Sequence, residues 1–142
     1  MRNPQKKLSF RGIAAVGLIA GCFAMPSFAF AADALTGDQE VPPVTTKATG
    51  KSSIKVASDK SVSGGVSFEG VTASAAHIHH AAPGANGPVI VPLTKATETS
   101  FSVPAGTKLS DAQYDAYKAG NLYVNVHSAA HPGGEIRVQL KP

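Results

Sequence analysis

Two late segments alternate so strictly that only one local structure is open to them. Leu122, Val124 and Val126 alternate with Tyr123, Asn125 and His127; Ile136, Val138 and Leu140 alternate with Glu135, Arg137 and Gln139. A period of two belongs to an extended strand with one face turned to a core. Both segments therefore read as half-buried strands. His127 falls on the face opposite the valines, so it is not expected among the core residues.

Upstream, more short strands follow from the same reasoning. Residues 34–43 read as an opening strand stopped at Pro42-Pro43, where ladder donors are lost. Residues 48–57 and 61–68 alternate on either side of Ser58-Asp59-Lys60 and read as a hairpin. Residues 71–80 form an Ala-rich strand. The Gly, Pro and Asn of residues 82–88 then make a tight loop. Residues 89–93 and 99–103 complete the strands. One helix is expected, capped by Ser110 with Gln113 three residues on, and stopped at Gly120. Leu109, Ala112, Ala116 and Ala119 would form its apolar stripe. About seven or eight short strands with one short helix make an all-β fold: an antiparallel Greek-key sandwich or barrel.

The first 32 residues read as a separate unit. Arg2, Lys6, Lys7 and Arg11 precede an apolar run over residues 13–25, and Ala29-Phe30-Ala31 follows Pro26. This is the pattern of a secretory signal peptide. The run falls short of the roughly 20 residues a membrane span needs. Ile19-Ala20-Gly21-Cys22 also resembles a lipobox, but the apolar residues after Cys22 favour cleavage near Ala31 or Ala32 over a lipid anchor. The expectation is an exported chain, periplasmic or secreted, whose residues 33–142 form one domain with no transmembrane segment.

That cut alters the charge. Of 13 Lys and Arg, four lie in the leader, leaving nine to face nine Asp and Glu. The domain is neutral and carries no basic patch for nucleic acid. It also lacks cysteine, since the only one is Cys22. No disulfide helps it, and no thiolate is available to a metal.

The remaining chemistry is imidazole. Three of the five histidines are His77, His79 and His80; the others are His127 and His131. On a strand, His77 and His79 share a face and His80 points the other way with Ile78.

Several separated motifs resemble the CHRD domain, a module first named from chordin. They are residues 35–43 (LTGDQEVPP), 76–79 (AHIH), 86–89 (NGPV), 119–127 (AGNLYVNVH) and 132–137 (PGGEIR). The resemblance runs over residues 34–140 and implies an all-β fold in an exported protein. The biochemical role it implies is poorly defined. His80 and His131 sit where other members often carry different residues.

Neutral imidazoles from two separated segments suit Cu(II), Zn(II) or Ni(II). The functional reading is a transition-metal site, copper first and zinc second. His77, His79 and His127 are its ligands, and His131 can swing in as a fourth. Asn125 and Glu135 are candidates to orient the rings. The competing reading makes the same histidines a solvated face and turn residues. Two other functions are open: a metal-free adhesion module, with Tyr114 and Tyr117 contacting an extracellular or envelope protein, and a copper oxidoreductase of the superoxide dismutase kind. No residue is assigned a catalytic role. Ser110 and Asp111 are explained by the helix cap, and the acids are too scattered to form a catalytic pair.

Overall fold

The structure is a computed structural model that describes residues 33–142; the leader expected over residues 1–32 lies outside them. Eleven strands occur among the described residues. They are β1 (Asp33–Leu35), β2 (Thr49–Ser52), β3 (Lys55–Val56), β4 (Val62–Ser63), β5 (Gly65–Glu69), β6 (Ala73–His80), β7 (Val89–Pro92), β8 (Thr94–Thr97), β9 (Ser100–Ser102), β10 (Leu122–Ser128) and β11 (Ile136–Gln139). One α-helix, α1 (Asp111–Lys118), and a 3-10 turn at Gly37–Gln39 accompany them. Among the described residues no helix is long and apolar enough to cross a membrane.

The strands form a five-stranded sheet in the order β1-β2-β5-β9-β8, a four-stranded sheet in the order β11-β10-β6-β7, and a two-stranded ribbon β3-β4. All pairings are antiparallel. The chain is an all-β sandwich, and the sheets do not close into a barrel. Leu35, Val66, Phe68 and Phe101 of one sheet pack in a single core with Ala76, Ile78, Val124, Val126, Ile136 and Val138 of the other. The chain crosses between sheets at buried Leu93, directly from β7 to β8. On the opposite side, Thr36 bridges to Arg137.

Several expectations needed correction. The opening strand ends at Leu35, because Thr36 turns to pair with Arg137 and the chain then coils through the 3-10 turn. The hairpin is present, but breaks at Ile54 and Gly64 into the pairs β2-β5 and β3-β4. Edge strand β8 was not anticipated; all four of its residues are exposed, so no apolar alternation betrays it.

Helix α1 has the expected capping box, with Ser110 accepting from the Gln113 N–H and the Gln113 side chain accepting from the Ser110 N–H. Its buried side differs from the expected stripe. Ala112 and Ala119 are exposed; Ala116 is buried, and Tyr114 and Tyr117 pack against the core. The Tyr117 hydroxyl donates to the Lys141 carbonyl at 2.9 Å. Both tyrosines are partly buried and pack against the core.

The largest departure concerns β10. Alternation implied a half-buried strand, yet all seven residues are buried. Its apolar face enters the core. Its polar face is closed by the chain before β2, the loop after β6 and the turn after β10. A buried polar face must satisfy its own hydrogen bonds, and the candidate site lies there.

Candidate metal centre

Register places the side chains. β6 and β10 are neighbours at the middle of their sheet, with His77 opposite Asn125, His79 opposite Tyr123, and His127 opposite Ala75. On the other side of β10, Arg137 faces Asn125 and Gln139 faces Tyr123. Period-two alternation thus gathers His77, His79, Tyr123, Asn125, His127 and Arg137 on one face. Ala75 contributes only a methyl opposite His127, leaving that ring room to lean toward His77.

His77, His79 and His127 converge. One ring nitrogen of each lies within 4.8 Å of the others. His77 Nδ1 and His127 Nε2 are 3.0 Å apart. Nitrogens held tetrahedrally at 2.0–2.1 Å from one ion stand about 3.4 Å apart. The three imidazoles can hold a metal ion after small ring rotations.

Backbone carbonyls fix two of the tautomers. His79 Nδ1 is 2.9 Å from the Gly87 carbonyl, and His127 Nδ1 is 2.9 Å from that of Pro132. A carbonyl only accepts, so each Nδ1 carries the proton and each Nε2 keeps a lone pair directed into the group. Metal-binding histidines are typically held in this way, the second ring nitrogen donating to a carbonyl or carboxylate. With that tautomer of His127, His77 Nδ1–H donates to His127 Nε2. His79 Nε2 is buried with no partner.

The loops that supply these carbonyls are themselves anchored. Gly87 sits where a Cβ would come within 1.9 Å of the His80 carbonyl, so any side chain there would push the loop off His79. Arg137 is 1% exposed and donates to the Ala85 carbonyl at 2.8 Å, to Asn86 Oδ1 at 3.3 Å and to Gln139 Oε1 at 3.1 Å. Its guanidinium also covers the Tyr123 ring, 3.5 Å from the centroid. On the other side, Ser128 and Thr46 hydroxyls donate to the Glu135 carboxylate, which closes the 128–135 turn behind His127.

Electrostatics favour neutral rings. Burial lowers the pKa of His77, and the nearby His127 and His79 lower it further. Burial likewise lowers that of His79, against the Gly87 carbonyl, which raises it. Unprotonated imidazoles are the form a metal requires. Burial pushes the Glu40 carboxyl up to about 7, despite Asn125 and Arg137 beside it.

The expected ligands thus separate into two groups. His77, His79 and His127 meet, whereas His131 stays outside: its carbonyl accepts from Ser128 and Gly134 N–H groups, and its ring lies close enough to Glu135 to help lower that carboxyl's pKa. His80 is exposed, with its N–H donating to the Pro88 carbonyl. Glu135 grips hydroxyls and touches none of the three rings by hydrogen bond; it shapes the turn rather than a tautomer. Asn125 does lie against His79. The sequence does not reveal the supporting roles of Tyr123, Arg137 and Glu40. The alternation that placed Asn125 and His127 together also placed Tyr123 and Arg137 there, whereas Glu40, in an irregular segment, gave no such signal.

An all-β sandwich whose central strands present three converging imidazoles is thereby defined as a fold able to hold a metal ion. The chain belongs to the CHRD domain family, whose pattern it matches over residues 31–140. No curated protein and no solved structure matches it.

Proposed function

We propose that this is an exported transition-metal-binding protein that holds one divalent ion, copper first and zinc second, through His77, His79 and His127. Storage, tolerance or delivery of that ion is its role. One observation carries the reading: His79 and His127 each commit Nδ1–H to a backbone carbonyl, leaving Nε2 lone pairs within reach of His77. A merely solvated face would have no need of two carbonyl anchors, and turn residues alone would have no need to bring three ring nitrogens within 4.8 Å of one another. All-nitrogen ligands without sulfur favour Cu(II) or Zn(II) over Cu(I). The leader-like pattern of residues 1–32 supports export.

The test is calorimetry and elemental analysis of the untagged chain, isolated from the compartment in which it accumulates. About one equivalent of Cu(II) or Zn(II) is expected to bind, and a variant with all three histidines changed to alanine is expected to lose it. Equal binding by the two proteins would sink the reading. Recovery of the protein from the cytoplasm alone would remove export from it.

A further inference from the structure

Three buried side-chain atoms among the described residues lack a hydrogen-bond partner: His79 Nε2, Asn125 Oδ1 and Glu40 Oε1. They are not scattered. The Asn125 carboxamide lies between Glu40 on one side and His79 on the other. All three residues are more than nine-tenths buried, with Asn125 at 1% exposure, Glu40 at 4% and His79 at 7%.

The orientation of the amide is settled by its neighbours. Asn125 Nδ2 donates to the Gly133 carbonyl at 3.4 Å. A Cβ built on Gly134 would be 2.4 Å from Asn125 Nδ2 and 2.4 Å from Glu40 Oε1, so the amide nitrogen is on the carboxyl side. Reversing the amide would set its oxygen against the Gly133 carbonyl, two acceptors facing one another. Oδ1 is therefore left to the histidine side. There it joins His79 Nε2, which is also a lone pair, because its ring proton is on the Nδ1 that faces Gly87. With Nδ1 protonated, the close approach of Asn125 to His79 sets two buried lone pairs side by side, and neither atom has a donor of acceptable geometry.

Resting on the three-histidine reading above, we propose that the Asn125 carboxamide oxygen is the fourth protein ligand of the ion, making a set of three imidazole nitrogens and one amide oxygen. Asn125 stands directly opposite His77 on the neighbouring strand, with His127 two residues further along its own. A cation is what satisfies the orphaned oxygen and nitrogen together. The set carries no charge, so the bound ion keeps both of its positive charges. A hard amide oxygen beside imidazoles suits a divalent ion of borderline character and disfavours Cu(I). Glu40 and Gly133 act through the amide, as positioning groups that hold its oxygen toward the ion.

The experiment uses the full chain and cobalt(II) alone as a spectroscopic probe, with Asn125→Leu and Asn125→Asp. Wild type is expected to bind cobalt with the intense visible bands of a low-coordinate site. Asn125→Leu should bind about tenfold or more weakly. Its cobalt bands should change and become pH-dependent, because water takes the vacant position and ionises. Asn125→Asp keeps the reach and adds charge, so it should bind at least as tightly as wild type, with shifted bands. It guards against a folding defect in the leucine variant. Unchanged affinity and bands in both variants would overturn the proposal and leave the triad standing. Weaker binding with unchanged bands would reduce Asn125 to a positioning residue and so also overturn it. Failure of wild type to bind cobalt, copper or zinc would remove the triad and the fourth ligand together.

Discussion

His79 and Tyr123 lie face to face across two strands, with ring centroids 4.7 Å apart and planes 4° from parallel. Arg137 covers the opposite face of the tyrosine, so imidazole, phenol and guanidinium form one column. The column holds the imidazole plane, and the Gly87 carbonyl fixes its rotation. The Tyr123 hydroxyl also accepts from the Gly87 N–H at 3.3 Å, so the same loop residue steadies both rings. Removing the tyrosine therefore affects stability and the site together. Tyr123→Ala is expected to cost about 3–5 kcal/mol, as for other buried aromatics, and to weaken metal binding about tenfold or more. Tyr123→Phe keeps the stack and loses one long hydrogen bond, so about 1 kcal/mol is expected with nearly unchanged affinity. Denaturant unfolding and metal titration of the two variants check this; equal metal affinity in wild type and Tyr123→Ala would contradict it.

Arg137 joins this column to the 81–88 loop through the Ala85 carbonyl and the Asn86 side chain. A lysine there keeps the charge but loses the planar fork that stacks on Tyr123 and reaches several acceptors at once. Arg137→Lys is expected to destabilise the fold by about 2 kcal/mol or more, since hydrogen bonds from a charged donor are lost in a buried place. It should also raise amide hydrogen exchange in residues 82–88 ahead of the rest of the molecule. Exchange that rises uniformly across the chain would show that the arginine acts on the fold at large and not on the loop.

The central strands and the cluster of three histidines are legible because both depend on alternation. Leu122, Val124 and Val126 declared a core face, and the same period put His127 and Asn125 on the other. What alternation cannot report is what lies above a polar face. His127 was expected outside the core and is on the outer face, yet it is buried, because irregular chain covers that face. The cover depends on long-range pairings such as Arg137 with Ala85 and Thr46 with Glu135, which leave no periodic trace. His131 lies outside the group of three for a related reason. Four residues from His127 looked like ligand spacing, but its backbone closes the turn. The cap locates helix α1, but the alanines do not mark its buried side, because the bulk of Tyr114 and Tyr117 outweighs them.

Metal binding should resist mild acid. His77 and His79 have pKa values lowered from the ordinary 6.5, through burial first and neighbouring rings second. A lowered imidazole pKa keeps the ligand free of protons below pH 6.5, so protons compete with the ion only at lower pH. At His77 and His79, proton competition with the ion is therefore expected to set in only below the ordinary imidazole value. Nitrogen-detected NMR titration of the metal-free protein should place both midpoints below 6.5. Midpoints at or above that value would contradict the inferred desolvation.

Gly134 is the backbone wall behind Asn125 and Glu40. It adopts φ +127°, where a side chain is strained, and a Cβ there would collide with both the amide and the carboxyl. Gly134→Ala is expected to cost about 1–3 kcal/mol and to displace the amide from the histidines. Metal affinity should fall with stability, although the substitution touches no imidazole. A stability loss with intact affinity would show that the carboxamide has no part in the site.

Glu40 gives the fold a pH dependence of its own. Its carboxyl titrates at about 7 in place of 4.5, because burial disfavours the charged form more than Asn125 and Arg137 favour it. A raised carboxyl pKa means the folded state holds a proton that the unfolded state releases. The contribution is complete below pH 4.5 and is lost as pH rises through about 7. His77 and His79 act in the other direction: their lowered pKa values favour the fold above 6.5 and disfavour it as pH falls. The two effects overlap in wild type, so the glutamate must be isolated by difference. Glu40→Gln keeps the shape and removes the charge. It is expected to match wild type near pH 4.5 and to exceed it by on the order of 2–3 kcal/mol at pH 8. Urea unfolding of the metal-free proteins across that range measures the difference, in which the histidines cancel. A difference that stays constant with pH would mean that Glu40 is ionised in the folded state throughout, with its charge met by Arg137.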